Sequence, residues 1–367
     1  MTTVLFTGGG TGGHLMPALA IAEEMVRLEP NVRPFFVGSQ RGVEASVLPQ
    51  RPWPYELLPL EPLYRRRWWR NVRLPFTMFA SLRAVRDILR RESPALVVGT
   101  GGYVAGPVVW AAMNRGVPAV LQEQNAYPGL ATRRLSRRAR QVHLGFPEAR
   151  SHLRVGAQTA VFDSGNPIPP PPPQLPSKPA SKRKLGFPDD RQLVFVTGGS
   201  QGALPVNRAV ADALETGALP AGATLLWQCG AASLDLFSRF RSAGRISVEP
   251  FIDPVADAYA AADLVVSRAG AMTLAGLAAW GLPAILVPLP TAAAGHQLAN
   301  ARALAETGAA VLLRQSDLTG AALSGLLSSL LNDPARMAAL NARMLSRARP
   351  DAATVIASEA LKVMWKT

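Results

Sequence analysis

Short apolar runs alternate with longer segments rich in alanine, leucine and arginine along the whole chain. Most of the runs are rich in β-branched residues, as buried strands are, and the segments between them are long enough for helices. Strands that alternate with helices form parallel sheets with helices on both faces. The pattern predicts strands at residues 4–7, 32–37, 96–99, 119–121, 193–197, 225–228, 264–267 and 284–287, and it is helical after residue 317 almost to the end.

Five consecutive prolines, Pro169 to Pro173, divide this pattern. Because proline lacks an amide hydrogen and has a fixed φ, the run must be extended, and no helix or central strand crosses it. A chain of 367 residues also exceeds the size at which one hydrophobic core usually keeps growing. We therefore predict two Rossmann-like α/β domains that face a central cleft. The N-terminal domain spans 1–163, the linker 164–184 and the C-terminal domain 185–349, and the last helix, 350–367, is expected to pack on the N-terminal domain.

The net charge of +14 is concentrated in the first predicted domain, where residues 1–163 contain 21 Lys and Arg against 11 Asp and Glu. A single cysteine, Cys229, cannot form an internal disulfide, and no basic segment followed by an apolar stretch stands at the N-terminus. We expect a cytoplasmic chain without a signal peptide. An uncharged run, 95–113, has glycines and a proline in its middle, which favours a strand, a turn and a helix over a membrane span.

A glycine-rich turn follows the first strand of each predicted domain. Residues 8–13 read GGGTGG and precede His14, and residues 198–203 read GGSQGA. Such a turn brings backbone N–H groups and a helix N-terminus against an anion, usually a phosphate. A third cluster, at 100–107, follows the strand at 96–99. By itself, this third cluster is equally well explained as a tight turn without a ligand.

Gly8, Gly10 and Gly13 also satisfy the dinucleotide-binding pattern G-x-G-x-x-G. That pattern requires an acidic residue at the end of the second strand, where it binds a ribose hydroxyl. Here the second strand ends in Gly-Ser-Gln at residues 38–40. The sequence therefore argues against a nicotinamide or flavin cofactor, and we expect no cofactor.

Eight motifs occur in an order and spacing that resemble one family. They are GGTGGH at 9–14, GGY at 101–103, EQN at 123–125, GNP at 165–167, GGSQGA at 198–203, FID at 251–253, SRAGAMT at 267–273 and HQ at 296–297. The chain resembles the MurG family, the N-acetylglucosaminyltransferases of peptidoglycan synthesis, over nearly its whole length. The resemblance implies a two-domain GT-B fold. It also implies transfer of N-acetylglucosamine from UDP-N-acetylglucosamine to the muramoyl 4-hydroxyl of undecaprenyl-diphosphate-linked lipid I, forming lipid II.

An inverting transfer needs a base for the acceptor hydroxyl and stabilisation of the departing diphosphate. The resemblance implies that His14, which can titrate near neutrality, is the base or orients the acceptor, with Glu123 on the acceptor side. The alternative for His14 is a helix N-terminal residue that is bonded only locally. The other implied binding residues are Thr11, Gly12, Gly13 and Tyr103 near the acceptor, Asn125 at the transferred sugar, Ser200, Gln201, Ala271 and Thr273 at the diphosphate, the main chain of Ile252 at the uracil, and Gln297 at the donor sugar.

No Asp-x-Asp triplet, the usual carrier of a divalent ion in metal-dependent sugar-nucleotide transferases, occurs in the sequence. We therefore expect activity without a metal. The turns at 198–203 and 269–273 each precede a predicted helix, whose N-terminus supplies backbone donors and a partial positive charge to a leaving diphosphate.

Several positions depart from the family pattern. Pro169 stands where an arginine is usual, Gly276 where a glutamate is thought to bind ribose hydroxyls, and Gln122 where histidine is common. Residues 294–295, Ala-Gly, stand where polar or acidic residues are frequent. Loss of a charged contact and a ribose acceptor would cost on the order of a few kcal/mol of donor binding unless other groups replace them.

Residues 65–76 combine five arginines with three aromatic residues. Tryptophan favours the bilayer interface, and each basic residue gains about 1 kcal/mol near anionic headgroups. Because the implied acceptor is tethered to a membrane, we predict reversible peripheral binding to the anionic cytoplasmic face of the cell membrane. The predicted contacts are Arg65, Arg66, Arg67, Trp68, Trp69, Arg70, Arg73 and Phe76.

A second basic cluster, Arg133, Arg134, Arg137, Arg138 and Arg140, would widen this patch. A solvated basic face is the alternative for both clusters, and no nucleic-acid-binding module is apparent.

Two other classes of function stay open. One is a GT-B enzyme that uses another nucleotide sugar or another lipid-linked acceptor, or that catalyses epimerisation, and the other is a non-catalytic binding protein. The retention of His14, Asn125, Ser200 and Gln297 favours an enzyme, with UDP-N-acetylglucosamine, lipid I and other cell-wall synthesis proteins as expected partners.

Overall fold

The proline run is where the chain passes from one folded unit to the other. The computed structural model describes residues 1–62, 68–217, 220 and 222–365. Unit 1 consists of Met1–Pro169 and Pro350–Thr367, and unit 2 of Pro170–Arg349. The first unit therefore includes the start of the predicted linker as well as the C-terminal segment.

Unit 1 contains a seven-stranded sheet in the order β3-β2-β1-β4-β5-β6-β7, with every pair parallel. Elements are numbered along the chain. The strands are β1 (Thr2–Thr7), β2 (Val32–Ser39), β3 (Tyr55–Leu58), β4 (Leu96–Gly99), β5 (Ala119–Glu123), β6 (Gln141–Leu144) and β7 (Ala160–Phe162). The helices are α1 (Gly12–Leu28), α2 (Glu44–Val47), α3 (Leu74–Glu92), α4 (Gly102–Met113), α5 (Leu130–Leu135) and, from the end of the chain, α14 (Ala352–Trp365).

The central strand β1 is buried on both faces. Val4 and Phe6 belong to a core with residues of α1 and α14, whereas Leu5 belongs to a core with residues of α3 and α4. A strand covered on both faces is apolar without alternation, which is why Val4, Leu5 and Phe6 follow one another without a polar residue. The C-terminal helix α14 packs on α1 through buried residues that include Ile356 and Met364.

Unit 2 contains a six-stranded parallel sheet in the order β10-β9-β8-β11-β12-β13. Its strands are β8 (Gln192–Thr197), β9 (Ala223–Gln228), β10 (Ile246–Glu249), β11 (Leu264–Ser267), β12 (Ala284–Leu286) and β13 (Val311–Leu312). Its helices are α6 (Lys178–Lys184), α7 (Leu204–Glu215), α8 (Leu234–Phe237), α9 (Val255–Ala261), α10 (Ala271–Ala279), α11 (His296–Glu306), α12 (Gly320–Leu331) and α13 (Pro334–Ser346). The two parallel sheets confirm the predicted α/β fold class.

The segment without helix or strand is shorter than the predicted linker of 164–184, because α6 occupies its last third. Pro179 lies in the first turn of α6, where a missing amide hydrogen costs nothing, so this proline does not prevent the helix. Lys178 and Lys182 form ion pairs with Asp263, which ties α6 to the loop before β11. These partners lie about 80 positions away, so the local sequence gives no sign of them.

The uncharged run at 95–113 forms β4, a turn and α4, as its glycines predict. No helix within the described ranges is long and apolar enough to cross a membrane.

His143, on β6, is a buried polar residue of unit 1. Its Nδ1 lies 2.7 Å from the Ser164 hydroxyl, its Nε2 lies 3.2 Å from Oε1 of Gln141, and its ring stacks on Phe162. Burial lowers the pKa of His143 to about 3 from its ordinary value of 6.5, because the site disfavours the charged imidazolium.

We expect His143 to make unit 1 less stable in acid. Its folded pKa lies below the unfolded value, so the unfolded chain takes up the proton first, and stability falls as the pH drops from 6.5 towards 3. The loss between pH 7 and pH 5 is about 2 kcal/mol in the free energy of unfolding. Urea unfolding at several pH values, compared between wild type and His143→Gln, measures this component. The same dependence on pH in both proteins would contradict the prediction.

Candidate functional site

The first glycine turn joins β1 to α1 and places His14 in the first turn of the helix. The Nδ1 atom of His14 lies 3.0 Å from the Thr11 hydroxyl, and the His14 N–H donates to the Thr11 carbonyl at 3.1 Å. His14 is half-buried, whereas Thr11, Gly12 and Gly13 are exposed. The predicted base and its neighbours therefore lie together at the carboxyl end of β1, the edge at which sheets of this kind bind ligands.

The turn between β4 and α4 packs directly against the first glycine turn. Gly101 and Gly102 have φ of +98° and +77°, a conformation that favours glycine. A Cβ atom on Gly102 would lie 2.1 Å from the Gly9 carbonyl oxygen, and one on Gly101 would lie 2.9 Å from Cδ2 of His14. The third glycine cluster is therefore required by the close approach of two backbones around His14.

Side chains of this second turn complete the contact. The Thr100 hydroxyl donates to the His14 carbonyl at 2.7 Å. The Tyr103 ring covers Gly10, where a Cβ atom would lie 2.5 Å from its Cε1, and the Tyr103 hydroxyl lies 3.0 Å from that of Ser39. Tyr103, a predicted acceptor contact, thus also supports the first turn from within unit 1.

Glu123 lies at the end of β5 and is only 3% exposed. Its Oε1 accepts from the Asn125 N–H at 3.1 Å and from the Asn125 side-chain amide at 3.3 Å, and its Oε2 accepts from the Gly129 N–H at 3.0 Å. Both carboxylate oxygens of Glu123 are therefore engaged within the loop that carries Asn125, itself half-buried.

A buried amide network links this loop to the turn beside His14. Gln124 Nε2 donates to the Thr100 carbonyl at 2.6 Å, and Asn166 Nδ2 donates to the Gln124 carbonyl at 3.0 Å. Gln122 Nε2 in turn donates to Asn166 Oδ1 at 3.0 Å. The glutamine that departs from the family pattern at 122 thus has a defined partner in the Gly-Asn-Pro motif. Sequence reasoning did not identify Gln124 as a residue that supports the site.

In unit 2, the turn between β8 and α7 carries Ser200 and Gln201, both exposed. Gln228, at the end of β9, lies beneath this turn and donates to the Gly199 carbonyl at 2.9 Å. Its Oε1 accepts from the Ile252 N–H at 2.9 Å. Gln228 therefore joins the predicted diphosphate turn to the predicted uracil contact, and sequence reasoning missed it. Because the Ile252 N–H is used internally, its carbonyl is the main-chain group left to contact a base.

The other predicted donor contacts lie around α10 and α11. Ala271 is the first residue of α10 and is buried, Thr273 is half-buried, and Gln297 Oε1 accepts from the Leu289 N–H at 2.9 Å. Arg268, just before α10, donates to the Val287 carbonyl and to Gln315, and burial lowers the pKa of its guanidinium. Arg268 therefore supports the loop from inside unit 2.

Gly276 lies in α10 against the ring of Tyr259. A Cβ atom on Gly276 would lie 3.1 Å from Cε2 of Tyr259, closer than most real contacts. Burial raises the pKa of Tyr259 to about 12. The tyrosine ring thus occupies space next to the position at which the family usually has a glutamate.

The predicted membrane segment is described in part. Arg65, Arg66 and Arg67, and the side chains of Trp68 and Arg70, lie outside the described residues. Trp69 and Arg73 belong to a short 3-10 helix before α3, and Phe76 lies on α3 with 75% of its surface exposed. Phe79 on α3 and Trp110 on α4, the helix packed against α3, are also exposed and were not predicted.

The described ranges contain no group of three or more His, Cys, Asp or Glu residues that could hold a metal ion.

Comparison with known proteins agrees with this geometry. Residues 4–144 match the glycosyltransferase family 28 N-terminal domain, and residues 193–356 match the family 28 C-terminal domain. The UDP-N-acetylglucosamine--N-acetylmuramyl-(pentapeptide) pyrophosphoryl-undecaprenol N-acetylglucosamine transferase of Chlorobium limicola is 39% identical over 98% of this chain and 99% of its own. The Salinibacter ruber protein of the same name is 40% identical over 98% and 96%.

Solved structures show the same architecture. MurG from Acinetobacter baumannii superposes with a TM-score of 0.78 at 28% identity, over 99% of this chain and all of that one. A UDP-glucose:anthocyanidin 3-O-glucosyltransferase has a TM-score of 0.72 at 14% identity over 100% and 99% of the two chains, which shows the shared GT-B fold alone. The domain matches and the full-length relatives confirm what the motifs indicated: this chain belongs to the MurG family of the family 28 glycosyltransferases.

Proposed function

We propose that this protein transfers N-acetylglucosamine from UDP-N-acetylglucosamine to the muramoyl 4-hydroxyl of lipid I and so forms lipid II, with inversion at the transferred sugar. The observation that carries the proposal is full-length similarity, at 39% and 40% identity, to transferases of that name. The motifs that match the family also lie at the carboxyl ends of β1, β4, β5 and β8, where parallel sheets bind ligands.

His14 is the base that removes the proton of the acceptor hydroxyl. When Nδ1–H donates to the Thr11 hydroxyl, Nε2 is the basic nitrogen. The bond from Thr100 to the His14 carbonyl and the packing of Gly101 on the ring support a fixed orientation for this imidazole. A base held in one orientation is effective because its geometry is set before the substrate binds.

Glu123 acts through Asn125. The Glu123 carboxylate is buried and accepts three hydrogen bonds within the loop that carries Asn125. It is therefore better placed to hold this loop in one orientation than to accept a proton from the substrate. Asn125 is then the residue of this loop that contacts the transferred sugar. We therefore assign Glu123 as a positioning residue.

The donor binds to unit 2. Ser200, Gln201 and the N-terminus of α10 face the diphosphate, whose developing charge is stabilised by backbone N–H groups and the helix dipole. The uracil contacts the main chain at Ile252, and Gln297 contacts the sugar. With glycine at 276, no carboxylate of α10 holds the ribose hydroxyls in this chain.

The exposed aromatic face of α3 and α4 suits peripheral attachment to an anionic membrane. Trp69, Phe76, Phe79 and Trp110 are all exposed, and arginines lie close in the sequence to Trp69, Phe76 and Phe79. Aromatic side chains gain free energy at a bilayer interface, and arginines gain it near anionic headgroups. This attachment would bring the enzyme to a lipid-linked acceptor at the cytoplasmic face of the membrane.

Activity with purified substrates tests the reaction. We expect release of UDP and formation of the disaccharide product from UDP-N-acetylglucosamine and a lipid I analogue, also in excess chelator. The His14→Ala variant should lose about 100-fold or more in kcat, because general base catalysis typically contributes that much. Its affinity for UDP should not change. No product from the wild-type protein would disprove the proposed reaction, and near-normal turnover of His14→Ala would disprove the role of His14.

The Gln228→Ala variant tests the donor site. It leaves the Gly199 carbonyl and the Ile252 N–H without their buried partner, so we expect the Kd for UDP, measured by calorimetry, to rise about tenfold. Gln192→Ala is a matched control, since Gln192 lies at the opposite end of neighbouring β8 and donates to Leu331. Equal UDP affinity in Gln228→Ala and wild type would contradict the assignment.

Vesicle co-sedimentation tests the membrane surface. The protein should bind phosphatidylglycerol vesicles more tightly than neutral phosphatidylcholine vesicles, and Phe76→Ser with Phe79→Ser should weaken binding by at least about tenfold, because each phenyl ring loses its apolar burial. Leu236→Ser, on α8 of unit 2, removes another largely exposed apolar side chain, and this variant should bind as wild type does. Equal affinity for both kinds of vesicle would count against the surface.

A further inference from the structure

The glycine turn before His14 surrounds a buried carboxylate. Glu44, the first residue of α2, is fully buried, with 0% of its surface exposed. The Gly10 N–H donates to both of its oxygens, at 3.1 and 2.9 Å, and the Ser39 N–H donates to Oε1 at 2.9 Å. In the part of the chain that the structure describes, no cationic side chain forms an ion pair with Glu44, and its carboxylate accepts from main-chain N–H groups.

Three glycines provide the space for this carboxylate. A Cβ atom would lie 2.3 Å from Oε1 of Glu44 if placed on Gly9, 2.2 Å from Oε2 if placed on Gly42, and 2.6 Å from Cγ if placed on Gly38. Gly9 belongs to the first turn, Gly38 to the end of β2, and Gly42 to the loop before α2. The three segments therefore form a cradle shaped to the side chain of Glu44.

The position of Glu44 corresponds to that of a bound anion. A glycine turn between a first strand and its helix normally directs N–H groups at a phosphate. Here the Gly10 N–H points at the carboxylate of Glu44, which also reaches the Ser39 N–H at the end of β2. Charge-assisted hydrogen bonds of this kind are stronger than neutral ones and hold the backbone in one conformation.

We propose that Glu44 is the internal anion of the first glycine turn and a positioning residue for His14. The carboxylate occupies the anion site, so this turn does not bind a nucleotide diphosphate in spite of its dinucleotide pattern. By holding Gly10 it sets the path of residues 11–14, of which Thr11, Gly12 and Gly13 stay exposed to the acceptor. The role in catalysis rests on the proposed function, whereas the anion site itself does not.

Removal of the carboxylate and its replacement by a small anion test the proposal. Glu44→Ala opens a space that formate fits, and we expect its kcat to fall by about 100-fold, because small displacements of catalytic groups cost that much, with the Kd for UDP unchanged. Formate should restore at least about tenfold of this loss and should raise the melting temperature of the variant. Glu44→Gln keeps the shape but fills the site, so its activity should be low and should not respond to formate.

Glu92→Ala is the matched control. Glu92 is a largely buried carboxylate that pairs with Arg33 and ends α3, just before the amino end of β4. Its loss should leave kcat near the wild-type value, and formate should not change that kcat. The proposal is overturned if formate raises neither the activity nor the melting temperature of Glu44→Ala. It is also overturned if Glu44→Gln has wild-type kcat.

The melting measurement separates this proposal from the proposed function. If the wild-type protein makes no lipid II but formate stabilises Glu44→Ala and not Glu44→Gln, the anion site stands and the assigned reaction fails. If the wild type is active and formate has no effect on Glu44→Ala, the reaction stands and the anion site fails.

Discussion

The candidate site residues of each unit depend on one constraint: main-chain groups at the carboxyl ends of parallel strands must find hydrogen-bond partners once the sheet is buried. Buried side chains supply those partners here. Glu44 holds the turn after β1, Gln124 holds the turn after β4, and Gln228 holds the turn after β8. A polar group left unpaired in such a place costs about 1–3 kcal/mol, so each of these side chains fixes the loop that it contacts. The loops in turn carry the residues that we propose to contact substrate.

The glycine turns after β1 and β8 differ in the groups that contact their main chain. The first contains a carboxylate of the protein itself, so its Gly10 N–H is already satisfied. The second is supported from below through the Gly199 carbonyl, and its Ser200 and Gln201 stay exposed. The same strand–turn–helix geometry thus suits the proposed catalytic histidine in unit 1 and the proposed diphosphate contact in unit 2.

Close backbone approach explains the two glycines of the turn after β4. Gly102 lies where any side chain would meet the Gly9 carbonyl, and Gly101 lies where a side chain would meet the His14 ring. The turn after β4 is therefore part of the support for His14. The dinucleotide pattern is likewise a poor guide to the ligand, since packing by itself requires glycine at positions 8 and 10, where a Cβ atom would lie 1.8 Å from the Thr100 hydroxyl and 2.5 Å from the Tyr103 ring.

The sequence by itself determined the alternation of strands and helices, the two parallel sheets and the family, because these depend on local apolar patterning and on motifs that are contiguous in the chain. It missed α6, whose ion pairs with Asp263 come from a distant loop. It also missed Glu44, Gln124 and Gln228, whose partners lie 34, 24 and 29 positions away. A buried polar side chain leaves no periodic pattern in the sequence. Its hydrogen-bond partner is determined only by how the strands pair in the folded sheet. Tertiary structure alone therefore decided which anion the first turn holds and which groups orient His14.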